Sequence, residues 1–164
     1  FLIIPLIIYL GDGKNPIFKQ KRVGQHGVSF DFYKFRSMSV DTPDVESTDI
    51  TKLKITPIGK IIRKTNLDEI AQVYNILKGD MTGIGPRPPI VSQKKLIELR
   101  RLNGSLSLKP GVTGWAQVNS YDNMPEEEKA RLDGEYAEKI SFKFDVIIFL
   151  MTFNYFFFKK NPTY

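Results

Sequence analysis

Two adjacent carboxylates, Asp68 and Glu69, open a segment of helical pattern, and Lys34, Arg36, Arg63 and Arg87 accompany them along the chain. Those residue types share a definite chemistry. A guanidinium holds a phosphate through paired hydrogen bonds and does not lose its charge, so Arg63 and Arg87 suit a diphosphate clamp. Carboxylates repel that anion unless a divalent cation stands between them, and Mg²⁺ characteristically binds one or two carboxylates together with substrate phosphate oxygens. Asp68 and Glu69 then have three roles open to them: metal ligand, nucleophile or base. A plainer reading also accounts for both acids. Asn66 followed by Glu69 has the form of a capping box, Asp68 in the first turn complements the helix dipole, and the prolines of Gly85-Pro86-Arg87-Pro88-Pro89 stop a helix and stiffen a turn. Residue types alone leave both readings open.

The element that must carry the acids is a helix over residues 67–77. Leu67, Ile70, Val73, Tyr74 and Leu77 recur at helical spacing as its buried face, with Asp68, Gln72 and Asn75 on the other side. A short helix over residues 57–64 precedes it and brings Arg63. Lys34 and Arg36 end the second of two strands, IFKQKRVG and VSFDFYKFRSM, which are joined through residues 24–27 and marked by Phe30, Phe32 and Phe35 among polar residues. His26, at that turn, is a solvated loop histidine. Residues 40–55 are polar and without pattern, and are expected to form a mobile loop. Helices are also expected over residues 92–103 and 125–140, the second opening with Pro125 and three glutamates. The expected fold is α+β, a single compact mixed domain with small sheets and several helices.

Composition limits the functions available. A chain of 164 residues fits one domain with a modest core. The absence of cysteine excludes disulfides, thiolate metal sites and cysteine nucleophiles, and a single histidine excludes a multi-histidine metal centre. The net charge of +6 points to a polyanionic neighbour. Neither GxxxxGK[ST] nor a dinucleotide fingerprint is present, since Pro88 stands where the third glycine would fall. The ends are apolar. FLIIPLIIYL, residues 1–10, is shorter than the about 20 residues needed to span a bilayer. It begins without methionine and reads as the tail of a longer segment, released by the turn at Gly11-Asp12-Gly13. Residues 142–160 are crowded with phenylalanine but interrupted by Lys143, Asp145 and Asn154, the mixture of an interfacial amphipathic helix, although a buried core helix has a related composition. The chain thus divides into residues 1–13, the end of a membrane helix and its turn; residues 14–141, a compact basic domain that holds the acids; and residues 142–160, an interfacial helix.

Five blocks, NPIFKQKRVG, FYKFRSM, LDEIAQVYNILKGDM, GPRPP and KPGVTGWAQVN, resemble in this order the bacterial sugar transferase family, the monotopic phosphoglycosyl transferases. The resemblance covers about residues 15–145. It implies transfer of a phospho-sugar from a UDP-sugar to undecaprenyl phosphate with release of UMP, opening capsule, O-antigen or glycoconjugate assembly at the cytoplasmic face of the bacterial inner membrane. The family's catalytic Asp-Glu dyad corresponds to Asp68 and Glu69, its functional basic residues to Lys34, Arg63 and Arg87, and its cofactor is Mg²⁺, for which Asp68 and Glu69 are the implied ligands. Arg36 joins the phosphate-binding candidates, and Gln117 and Asn119 in the last block are candidates for substrate binding. By analogy Asp68 attacks the sugar-bearing phosphorus and becomes an acyl phosphate, which polyprenyl phosphate then attacks. Family members carry a re-entrant membrane helix, and residue 1 of this chain falls in its second limb. Anionic lipid is an implied partner, nucleic acid is not, and a homo-oligomer is compatible with the resemblance. Two rival classes are a noncatalytic membrane-surface scaffold, which leaves the acid and Pro-Arg-Pro pattern unexplained, and a basic nucleic-acid-binding module, for which the aromatics are in the wrong place.

Overall fold

The computed structural model describes residues 3–39, 42 and 55–158. Most of the polar stretch expected as a loop, and the last two residues of the expected terminal helix, lie outside them. The order is α1 (Ile3–Asp12), β1 (Ile17–Val23), a 3₁₀ turn (Gln25–Gly27), β2 (Ser29–Phe35), α2 (Pro57–Lys64), a 3₁₀ segment (Leu67–Gln72), α3 (Val73–Lys78), β3 (Thr82–Ile84), α4 (Lys94–Leu102), a 3₁₀ turn (Ser105–Ser107), β4 (Gly111–Thr113), α5 (Trp115–Val118), α6 (Glu126–Lys139) and α7 (Phe142–Phe158). Helices with two small sheets agree with the α+β expectation. The chain separates into two compact units, one of Phe1–Gln20 and Tyr33–Val73, the other of Lys21–Phe32 and Tyr74–Tyr164.

In the first unit, Ile8, Phe35, Ile62 and Ala71 form the core, with Ile4, Ile17, Tyr33, Ile58, Leu67 and Ile70 packed against it. Thr56 caps α2 by accepting from Gly59 N–H at 2.9 Å, and Pro57 stands in the first turn, where its missing N–H removes nothing. Gly59 is required there for space: a Cβ would run into the Ser37 carbonyl. The helix therefore seats its start directly on the chain that follows β2, and its last turn carries Arg63. Tyr33 and Phe35 enter this core, whereas Phe30 and Phe32 belong to a cluster of the second unit.

That second cluster is completed by Met81, Ile76 and Val112, and another gathers Ala116, Met124, Leu132 and Trp115. β3 and β4 pair in parallel, Thr82 with Gly111 and Ile84 with Thr113. α4 packs on α6, and α7 packs on α5, β3 and β4. Ile148, fully buried, is the apolar anchor of α7, and Thr113 and Thr152 hydroxyls meet at 2.7 Å. Near the start of α7 the Tyr136 hydroxyl donates to Asp145 Oδ1 at 2.7 Å, and burial together with this bond raises the phenol above its ordinary pKa. Much of the remaining α7 surface is bare: Phe142, Phe149, Leu150 and Phe153 are all more than half exposed, as are Ile3, Leu6, Tyr9 and Leu10 on α1. α1 runs through Gly11 and Asp12 before the turn, one residue pair further than expected. No helix among the described residues is long and apolar enough to cross a membrane.

Candidate active site

The segment bearing the acids departs from the sequence expectation in two ways. It is a 3₁₀ segment followed by a short α-helix, and Asn66 is in the left-handed region, φ 52°, without a side-chain capping bond. A capping residue needs extended backbone. The capping box read from Asn66 and Glu69 is therefore not formed, and capping does not account for the pair. The second departure is burial. Val73, Tyr74 and Leu77, expected inside, are 38%, 57% and 82% exposed, while Asp68, Gln72 and Asn75, expected outside, are 7%, 1% and 0% exposed. Three residues per turn instead of 3.6 rotate the pattern, so a stripe drawn at α-helical spacing falls on the wrong face. Leu67 and Ile70, at the start of the segment, still pack on the first core.

Polar groups turned inward need partners. Asn75 Nδ2 donates to the Asp31 carbonyl at 2.7 Å and to Asp80 Oδ2 at 3.3 Å. Asp68 and Glu69 converge on Lys34, whose Nζ lies 3.4 Å from Asp68 Oδ2 and 2.9 Å from Glu69 Oε1. Burial dominates at Asp68 and raises its carboxyl above the ordinary aspartate pKa; Lys34 draws it down, Glu69 pushes it up again and Arg63 draws it down slightly. A carboxylate stripped of water beside a second carboxylate is an expensive arrangement for a fold and a useful one for nucleophilic chemistry. Gln72, one turn beyond Asp68, was not singled out by the sequence; neither of its buried amide atoms has a hydrogen-bond partner among the described residues.

Of the basic candidates, the first unit brings together Lys34 and, through its electrostatic effect on Asp68, Arg63. Arg36 belongs to the same unit and is buried, and its backbone N–H donates to the Pro16 carbonyl at 2.8 Å. Two carboxylates that already meet around one positive charge are a fitting donor set for Mg²⁺. Three or more acidic or histidine ligands are not grouped anywhere among the described residues, so Asp68 and Glu69 are the residues that would hold such a cation, with other oxygen donors completing its shell.

Arg87, Gln117 and Asn119 belong to the second unit. The loop of residues 85–89 follows β3, and three of its five residues are prolines. Pro86, Pro88 and Pro89 are buried, and Arg87 between them stays partly accessible. Gly85 is tied to β4 by its N–H to the Thr113 carbonyl at 2.8 Å, and a Cβ on Gly85 would meet the Lys109 carbonyl. Gln117 lies in α5, with its amide atoms lacking partners among the described residues. Asn119 Nδ2 donates to the Trp115 carbonyl at 2.8 Å and closes that helix. Arg100 and Asp133, a buried ion pair of this unit, were not singled out in the sequence because each sits unremarkably in a helical pattern.

The family model for bacterial sugar transferases matches residues 1–159. Over 159 residues the chain is 41% identical to the galactosyl transferase CpsE of Streptococcus agalactiae, covering 86% of this chain and 34% of that protein. It is 36% identical to the uncharacterized sugar transferase EpsL of Bacillus subtilis, covering 89% and 72%. Against the UDP-glucose:undecaprenyl-phosphate glucose-1-phosphate transferase of Escherichia coli the identity is 38%, covering 92% and 34%. The chain thus spans about a third of the length of the first and third of these relatives. With nearly its whole length matched, the chain belongs to the bacterial sugar transferase family.

Proposed function

We propose that the protein transfers a sugar-1-phosphate from a UDP-sugar to undecaprenyl phosphate by double displacement on Asp68. The observation that carries this reading is the desolvated Asp68 carboxylate, oriented with Glu69 on Lys34. In the first step a carboxylate oxygen of Asp68 attacks the sugar-bearing phosphorus. The bond from that phosphorus to the bridging oxygen breaks, and UMP departs with the oxygen. In the second step a phosphate oxygen of undecaprenyl phosphate attacks the same phosphorus, and the carboxylate leaves as it began. Splitting the reaction lets one set of groups serve two similar phosphoryl transfers.

Lys34 holds the two acids in register and offsets their mutual repulsion, and Arg63 adds positive charge beside the nucleophile. Arg87 supplies a guanidinium for a substrate phosphate. Asp68 and Glu69 are the residues that would hold Mg²⁺, whose contribution when bound is to neutralise phosphate charge. Names of relatives support the substrate class: the Escherichia coli protein is named for UDP-glucose and undecaprenyl phosphate, and that of Salmonella typhimurium for galactose and undecaprenyl phosphate. The bare apolar residues of α1 and α7 and the net charge of +6 support a place in the headgroup layer of the inner membrane's cytoplasmic leaflet, beside a lipid-linked acceptor.

The test is to incubate the intact protein in bilayer nanodiscs with undecaprenyl phosphate, Mg²⁺ and a panel of UDP-sugars, and to measure UMP. One or a few sugars should give UMP together with a prenyl diphosphate sugar. Release of UDP instead of UMP would mean a glycosyl transfer and would contradict the proposal.

A further inference from the structure

The loop of residues 85–89 has an unusual hydrogen-bonding problem. Pro86, Pro88 and Pro89 have no N–H, so across residues 86–89 only Arg87 has a backbone donor. Four successive carbonyls remain, and each accepts from a different group outside the loop. Gly111 N–H donates to Pro86 O at 3.0 Å and Val23 N–H to Pro89 O at 2.9 Å. Between them, Arg100 Nη1 donates to Arg87 O at 2.8 Å and Arg22 Nη1 to Pro88 O at 3.0 Å. Arg22 is itself held over the Phe32 ring, 5.2 Å from its centroid.

Arg100 is the member of this set with the most elaborate support. Its Nε and Nη2 both donate to Asp133 Oδ2, at 2.8 and 2.6 Å, and the two side chains are 5% and 1% exposed. The ion pair is complete without Nη1, which is left to hold the Arg87 carbonyl. A buried ion pair is often no more stable than an apolar pair of the same volume, so joining α4 to α6 does not by itself explain it. An apolar pair would join the helices equally well and would lack the third donor.

We infer that Arg100, oriented by Asp133, is a positioning residue for Arg87: it fixes the backbone from which the Arg87 guanidinium reaches a substrate phosphate. The inference rests on the proposed reading of Arg87. Fixing the carbonyl of a residue flanked by two buried prolines restricts the backbone that carries the guanidinium, which lowers the entropy lost when it forms a bidentate contact.

The test is a mutant cycle in the intact protein, with UMP release and thermal melting read on each preparation. The double variant Arg100→Met, Asp133→Leu keeps an apolar contact between the helices and removes the donor. It should melt near the parent and lose about tenfold or more in kcat/KM for the UDP-sugar, with little further loss when added to Arg87→Ala. Arg100→Lys, measured alongside, preserves the charge opposite Asp133 but not the three-way fork; it should show the same kinetic loss, so the inference stands on data even if the apolar pair does not fold. Parent-like kcat/KM in the folded double variant or in Arg100→Lys, beside a damaged Arg87→Ala, would overturn the positioning role alone. A full additional loss in the Arg87→Ala background would overturn it too, since the pair would then act elsewhere. If Arg87→Ala is itself parent-like, the proposed reading of Arg87 fails and takes the inference with it.

Discussion

Each unit holds an ion cluster, a part-buried one around Lys34 and a fully buried one of Arg100 and Asp133, and the two are built on opposite principles. Arg100 and Asp133 are matched one to one: a guanidinium sends two N–H groups to a single carboxylate oxygen and the third direction to a backbone carbonyl. Burial still raises the Asp133 carboxyl, against the pull of Arg100. Around Lys34, by contrast, two carboxylates share an ammonium, and the contact to Asp68 is the longer at 3.4 Å. The first arrangement spends its charges on each other and holds a loop. The second leaves a desolvated carboxylate incompletely compensated, which a scaffold has no use for and a nucleophile needs. On the proposed reading, the difference separates the part of the molecule that supports from the part that reacts.

The largest expected effect lies on the reactive side. Asp68→Asn should reduce UMP release by more than about a thousandfold, since no neighbouring group replaces a lost nucleophile. Its fold should persist, because Glu69 still engages Lys34. On the supporting side, Asp133→Asn leaves a buried guanidinium without its counter-charge and should lower stability by about 3–5 kcal/mol, read from denaturant melts. The contrast would break if Asp133→Asn were silent in stability and Asp68→Asn unfolded the protein.

Lys34→Met sharpens the comparison through pH. With the ammonium gone, the repulsion between Asp68 and Glu69 and the burial of Asp68 are less compensated, so the Asp68 carboxyl should titrate still higher. The acidic limb of the rate profile should move to higher pH in this variant; an unmoved limb would detach Lys34 from the titration of the nucleophile.

A smaller effect concerns the stability of Asp68→Asn. A folded pKa raised above 3.8 means that the Asp68 contribution is fully present below that pH and is lost as pH rises through the folded value. The Asn variant should therefore gain on the parent in melting temperature between acid and neutral pH and show no gain below the ordinary aspartate range. A gain that grew on acidification would have the wrong sign. The smallest expected effect is at Leu77, 82% exposed, where Leu77→Ala should change stability by under about 0.5 kcal/mol instead of the about 2–5 kcal/mol of a core leucine.

That last contrast marks where the sequence is legible and where it is not. The hairpin strands, α2, α4 and α6 follow from period-two or period-3.6 patterns and turn residues, and they appear within a few residues of their expected bounds. Asp68, Glu69, Lys34 and Arg63 were also legible as candidates, by residue type and resemblance. Their setting was not. Leu67, Ile70, Val73, Tyr74 and Leu77 make a good helical stripe, yet a 3₁₀ start and the burial of Gln72 and Asn75 turn most of it outward. Local pattern has no means of showing that a polar face is the buried one, because its partners, such as the Asp31 carbonyl for Asn75, lie 44 residues away. The Pro-rich loop has the same limit. Three missing N–H groups are visible in Gly85-Pro86-Arg87-Pro88-Pro89, but the side-chain donors that hold its carbonyls, Arg22 at 66 residues and Arg100 at 13, become visible only when the chain is folded.

The covalent intermediate on Asp68 is tested most directly by a single-turnover experiment without acceptor. The intact protein, a UDP-sugar and Mg²⁺ are mixed, quenched rapidly, and examined for UMP and for added mass on the chain. A burst of UMP stoichiometric with enzyme, and a phospho-sugar adduct that maps to residues 65–78, is removed by hydroxylamine and is absent from Asp68→Asn, is the predicted result. No burst and no adduct, with UMP formed only when undecaprenyl phosphate is added and with intersecting double-reciprocal lines, would show that the lipid phosphate attacks directly and that Asp68 is not the nucleophile.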